Sequence, residues 1–116
     1  MTRVRIGAVL FLVMAICPYA QERTATIRIA AERFRFTPDE IKVRRGRTIE
    51  FRLESDDTDH GFRILGTDID RIIPKRGRGS ITVTFTPDRA GRYVFECSKL
   101  CGAGHEFMHG VVIVED

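Results

Sequence analysis

From Thr24 onward the sequence repeats in twos, and no stretch carries a helical period across three turns. Ser80-Ile81-Thr82-Val83-Thr84-Phe85-Thr86 alternates polar and apolar without a break, and residues 24–30 and 48–53 do the same. That alternation puts one set of side chains on each face of a strand, one for water and one for a core. Arg33-Phe34-Arg35-Phe36 repeats the pattern with both aromatics on one face. Residues 41–43, 60–64, 92–97 and 110–114 read as further strands, the last a β-branched run suited to a central position. Turn signals separate them at Thr37-Pro38-Asp39, Arg45-Gly46 and Pro87-Asp88-Arg89-Ala90-Gly91. Residues 66–79 are irregular, with Ile69, Ile72 and Ile73 expected on one apolar turn. Short strands spaced by about ten residues predict an all-β chain, folded as an antiparallel sandwich or barrel.

The 116 residues suffice for one core and not two. Residues 1–20 have a basic start (Arg3, Arg5), an apolar run to Cys17, and Pro18-Tyr19-Ala20. This is the layout of a signal peptide, and the run is shorter than the ~20 residues a membrane span needs. A cleaved leader is expected, with a lipid-modified Cys17 as the other option. Either way the domain at residues 24–116 is expected outside the cytoplasm, in a periplasm, membrane-associated if lipidated or uncleaved. Without Arg3 and Arg5 the 19 basic residues fall to 17 against 16 acidic. That balance gives no argument for nucleic-acid binding.

The chemistry is concentrated at Cys97-Ser98-Lys99-Leu100-Cys101-Gly102-Ala103-Gly104-His105-Glu106-Phe107-Met108. Two thiols, an imidazole and a thioether in twelve residues select copper, zinc or iron–sulfur over magnesium or calcium. A sandwich can bring His60, at the start of one predicted strand, to the pole where Cys97 ends another. The candidate ligands are therefore His60, Cys97, Cys101, His105 and Met108. One blue copper would need a single Cys. Zinc would take two Cys and two His and leave Met108 unused. Iron–sulfur ligation needs more thiolates or paired Cys-x-His units. Two coppers bridged by both thiolates would use every donor.

The loop, preceded by Asp59-His60-Gly61-Phe62, resembles the copper-A domain of cytochrome c oxidase subunit II, a cupredoxin also found at the end of nitrous oxide reductase. The similarity runs from about Phe34 to the C-terminus. It implies a cupredoxin-like Greek-key sandwich with a mixed-valence pair of copper ions that accepts single electrons from a c-type cytochrome. Cys97 and Cys101 would bridge, His60 and His105 would be terminal ligands, Met108 axial to one copper, and the Lys99 carbonyl axial to the other. Lys99 stands where oxidase subunits usually have a Glu that helps hold magnesium against subunit I. The family's tryptophan-rich entry segment has no counterpart, since the chain has no Trp, and no membrane hairpin is seen. These departures point to a small exported copper-A protein without catalysis of its own. A periplasmic copper carrier or sensor and a divergent oxidase subunit II with a membrane partner are the alternatives.

Plainer roles stand beside these. Cys97 and Cys101 can form a disulfide in an oxidising compartment, so loading would need a reductant and a copper metallochaperone. Asp56-Asp57-Thr58-Asp59 is either a solvated loop or a steering patch for a lysine-rich cytochrome. His109 is expected as a partly exposed neighbour, and Phe62 or Phe107 as a cover for the site.

Overall fold

A computed structural model describes residues 24–116. The leader and Cys17 lie outside the described residues. The order is β1 (Thr24–Glu32), β2 (Arg35–Thr37), β3 (Glu40–Arg44), β4 (Thr48–Ser55), β5 (His60–Ile64), β6 (Asp70–Ile73), β7 (Ile81–Phe85), β8 (Gly91–Glu96) and β9 (His109–Glu115). Among the described residues a single 3₁₀ turn, His105–Phe107, interrupts the strands. Among the described residues no helix is long and apolar enough to cross a membrane.

The strands form two sheets, in the orders β2-β1-β4-β7 and β3-β9-β8-β5-β6. Alternation decides which side chains lie between them. Ile49, Phe51 and Leu53 of β4 are buried while Arg52 and Glu54 face water. Val112 and Val114 do the same from β9, and Ile41 and Val43 from β3. Four phenylalanines form the centre: Phe62 lies 5.2 Å from Phe95, 5.5 Å from Phe51 and 6.0 Å from Phe36, measured between rings. Burying each such ring stabilises the fold by roughly 1.5–3 kcal/mol, and the tilted and edge-on contacts add to that.

The all-β sandwich agrees with the expectation, with three local differences. The sheets are mixed rather than wholly antiparallel: β1 runs parallel to β4 and β3 parallel to β9. Alternation fixes the faces of a strand but not its direction. A chain that crosses between sheets, as here from β2 to β3 and from β3 to β4, can return parallel to an earlier strand. The expected apolar turn at Ile69, Ile72 and Ile73 is largely β6. As an edge strand paired only with β5, it leaves Ile72 51% exposed and shows no alternation. Phe34 and Phe36 differ in depth: Arg33-Phe34 is the turn between β1 and β2, so Phe36 is buried in the core while Phe34 is half-buried and packs against it.

Candidate metal centre

β5 and β8 are antiparallel neighbours, and β8 and β9 another such pair. The start of β5, the end of β8 and the start of β9 therefore meet at one pole. The loop from Cys97 to Met108 caps it, closed at its base by the Cys97 N–H donating to the Met108 carbonyl at 3.0 Å. Gly61 lets the loop sit down on β5. A Cβ there would stand 2.6 Å from the Lys99 nitrogen, 2.7 Å from the Ser98 nitrogen, and against the Ser98 hydroxyl. In that close approach the Gly61 N–H donates to Cys97 Sγ at 3.4 Å.

All the donors named from the sequence come together here. The two sulfurs are 3.7 Å apart, well beyond the ~2.05 Å of a disulfide. His60 Nδ1 is 3.9 Å from Cys97 Sγ, and His105 Nδ1 is 3.6 Å from Cys101 Sγ. Met108 Sδ lies 3.9 Å from Cys101 Sγ, and the Lys99 carbonyl oxygen 3.1 Å from Cys97 Sγ. The ligand atoms of His60, Cys97 and Cys101 all fall within 4.8 Å of one another, a group able to hold a metal ion. His60, Cys97, Cys101 and Met108 are buried, while His105 keeps a half-exposed edge. His109 points to solvent on β9. Phe62 is fully buried against Phe36, Phe51 and Phe95, whereas Phe107 is 72% exposed and does not cover the centre.

Three residues that hold the site were not assigned that role from the sequence. Asp57 Oδ1 lies 2.6 Å from His60 Nε2. Burial acts to raise the Asp57 carboxyl, but the N–H groups of Arg33 and Thr58, together with His60, outweigh it and leave it below the usual range. An ionised carboxylate only accepts, so Nε2 carries the ring proton and Nδ1 presents its lone pair to Cys97. Arg33 works from both ends: its N–H donates to Asp57 Oδ2 (2.9 Å) and its Nε to the Cys101 carbonyl (2.7 Å). Phe34 packs under the loop, close enough that a Cβ on Gly104 would collide with its ring. The signal for Asp57 was its place three residues before His60. The acidic run is thus largely occupied: Asp57 serves His60, and Asp59 accepts the Lys75 N–H at 2.6 Å.

Asp57→Asn keeps the size and removes the charge that fixes the His60 tautomer. It is expected to weaken metal binding by roughly 10–100-fold with little loss of fold, as read by competition titration and thermal melting.

Burial, then the neighbouring Cys97, pushes the Cys101 thiol from 9.0 up to about 11, with Arg33 opposing. A metal must displace that proton, so apparent affinity should rise with pH across the neutral range. For the metal-free fold the sign is reversed. A raised thiol contributes its full stability below about 9 and loses it as pH climbs through about 11. Metal titrations and apo-protein melts at stepped pH read the two trends.

The strands, the pole and the donor set define a class. The sequence model of the cupredoxin-like domain family matches residues 5–114, and the chain belongs to that family. Within it, the chain is 37% identical over 92 residues to cytochrome c oxidase subunit 2 of Thermus thermophilus, an alignment spanning 78% of this chain and 66% of that subunit. A second T. thermophilus subunit 2 aligns at the same identity over 53% of its length, so the chain spans between about half and two thirds of these relatives. Among solved structures, a heme-copper terminal oxidase dimer superposes with a TM-score of 0.70 at 26% identity, over 89% of this chain and 76% of that one. The periplasmic domain of subunit II (CoxB) of Bradyrhizobium japonicum matches in fold, with a TM-score of 0.70 at 19% identity, over 78% of this chain and 83% of that domain.

Proposed function

We propose that this domain binds two copper ions in a copper-A centre and carries single electrons outside the cytoplasm. One observation carries the reading: the donors divide into two matched sets about a shared pair of sulfurs. Cys97 Sγ has His60 Nδ1 and the Lys99 carbonyl beside it, and Cys101 Sγ has His105 Nδ1 and Met108 Sδ. Two adjacent thiolates with one imidazole each suit a bridged pair of soft ions better than one tetrahedral ion, which would leave Met108 idle. In this reading Cys97, Cys101, His60, His105, Met108 and the Lys99 carbonyl would hold the two ions, the two thiolates being the donors shared between them.

Copper supplies a one-electron couple when bound. The chain supplies rigidity and dryness. Asp57 fixes the His60 ring, the Gly61 N–H fixes Cys97 Sγ, and Arg33 ties the Cys101 carbonyl to the β1–β2 turn. Ligands locked this way move little between redox states, which favours fast transfer. Residues 1–20 act in this reading as the export leader of the domain at 24–116. A c-type cytochrome or similar redox protein is the partner, and a metallochaperone with a reductant loads the site. The subunit II relatives keep a membrane oxidase partner in view, although Lys99 lacks the carboxylate expected at a magnesium-bearing contact.

Native mass spectrometry of the reduced domain after copper addition tests the stoichiometry. Two coppers per chain agree with the proposal, and one contradicts it. A carrier differs in kinetics: it would surrender copper readily to an apo-acceptor, whereas an electron carrier retains it and is reduced rapidly by a cytochrome.

A further inference from the structure

The pole that carries the donors also carries cations that the site does not use. Lys75, Arg76 and Arg78 are exposed on the turn after β6. Main-chain bonds pin that turn beside His60: the Lys75 N–H donates to Asp59 Oδ1 (2.6 Å), and the Arg76 N–H to the Asp57 carbonyl (3.0 Å). β6 reaches it through Ile73, the strand partner of His60. Lys99 stands exposed on the loop that lies over Gly61, and Gly61 pairs with Ile72 of the same β6. Among the described residues none of these four cations forms an ion pair.

The neighbouring carboxylates are engaged by hydrogen bonds. Asp57 holds His60 and Arg33, Asp59 holds the Lys75 N–H, and Asp70 accepts the Ser98 hydroxyl at 2.6 Å. Asp56, Asp70 and Glu106 are exposed counter-charges of this pole. On the loop that carries Lys99, Leu100 is 79% and Phe107 72% exposed, on either side of the half-exposed His105 in the sequence. Exposed apolar side chains together with charged ones are the build of a protein-binding surface.

We infer that these cations, together with the exposed Leu100 and Phe107 of the ligand loop, dock a redox protein through an acidic face on that partner. The inference rests on the electron-transfer reading and adds the sign of the partner's charge, which is opposite to that of a lysine-rich cytochrome. A lipid surface would also attract these cations, but it would close the exposed edge of His105, the shortest way out of the site. Each productive encounter moves one electron from ferrous haem to the copper-loaded domain and leaves ferric haem; no bond or proton changes.

The test uses a lysine-rich cytochrome c and the same cytochrome with its lysines succinylated, each reduced and mixed with the copper-loaded domain by stopped flow. The succinylated form is expected to react roughly tenfold faster at low ionic strength, with the advantage fading toward physiological salt. Lys75→Gln, Arg76→Gln and Arg78→Gln combined should remove most of the advantage and leave the copper spectrum unchanged. Faster reaction of the lysine-rich form, or no charge preference, overturns the inference; the comparison on the wild-type domain needs no variant to fold. Sedimentation of the domain with phosphatidylglycerol vesicles in physiological salt, lost in the triple variant, overturns it in favour of lipid. Failure of the copper reading shows separately, in the copper count. Chemical-shift changes of the apo domain on adding either cytochrome then decide the docking question.

Discussion

Cys101→Ser is expected to cut copper uptake from two ions per chain to one and to abolish any electron shared between metals. Cys101 Sγ is the hub of the cluster, with Cys97 Sγ, His105 Nδ1 and Met108 Sδ all within 3.9 Å. A serine hydroxyl fills nearly the same space, so the strands beneath should keep their packing. It is a hard donor that stays protonated and cannot bridge two soft ions. The remaining donors, His60, Cys97, His105 and Met108, are the set of a single blue-copper site. Metal analysis and spin resonance of the variant read the outcome. Two coppers retained by Cys101→Ser would contradict the bridging role.

Gly61→Ala is the second large effect, and it arises from backbone rather than from a ligand. The new methyl would lie 2.6 and 2.7 Å from the main-chain nitrogens of Lys99 and Ser98, closer than packed atoms tolerate. β5 is held between β8 and β6 and cannot retreat, so the loop must lift. Lifting breaks the Gly61 N–H bond to Cys97 Sγ and moves both the Cys97 sulfur and the Lys99 carbonyl. Overpacking of this kind costs about 1–3 kcal/mol, a fall of roughly 5–20 °C in the melting temperature of a domain this size. Copper binding should weaken by more than tenfold. Calorimetry of the apo protein and a copper titration check both, and a variant that melts and loads like wild type would show that the loop does not depend on this approach.

Much of this was legible in the sequence because the physics is local there. Ile49, Phe51 and Leu53 announce a buried strand face by alternation alone. The spacing of Cys97, Cys101, His105 and Met108 confines four donors to one loop, whatever the fold around it. What lay hidden depended on position in space. Edge strand β6 has one paired neighbour and one side open to water, so Ile72 and Ile73 carry no repeating pattern. The direction of β1 against β4 and of β3 against β9 follows from crossovers between sheets, which alternation does not encode. Asp57 read as one member of an acidic run. Only the turn from β4 into β5 shows its carboxylate bound to the His60 ring. Arg33 is 68 residues from the Cys101 carbonyl it holds, a separation across which no sequence pattern speaks.

In the proposed centre two metal ions share the two sulfurs of Cys97 and Cys101. The most direct measurement is the spin-resonance spectrum of the wild-type domain, loaded under reducing conditions and then oxidised by one electron. A hyperfine pattern from one electron spread equally over two copper nuclei is the predicted result. A pattern from a single copper nucleus would contradict it.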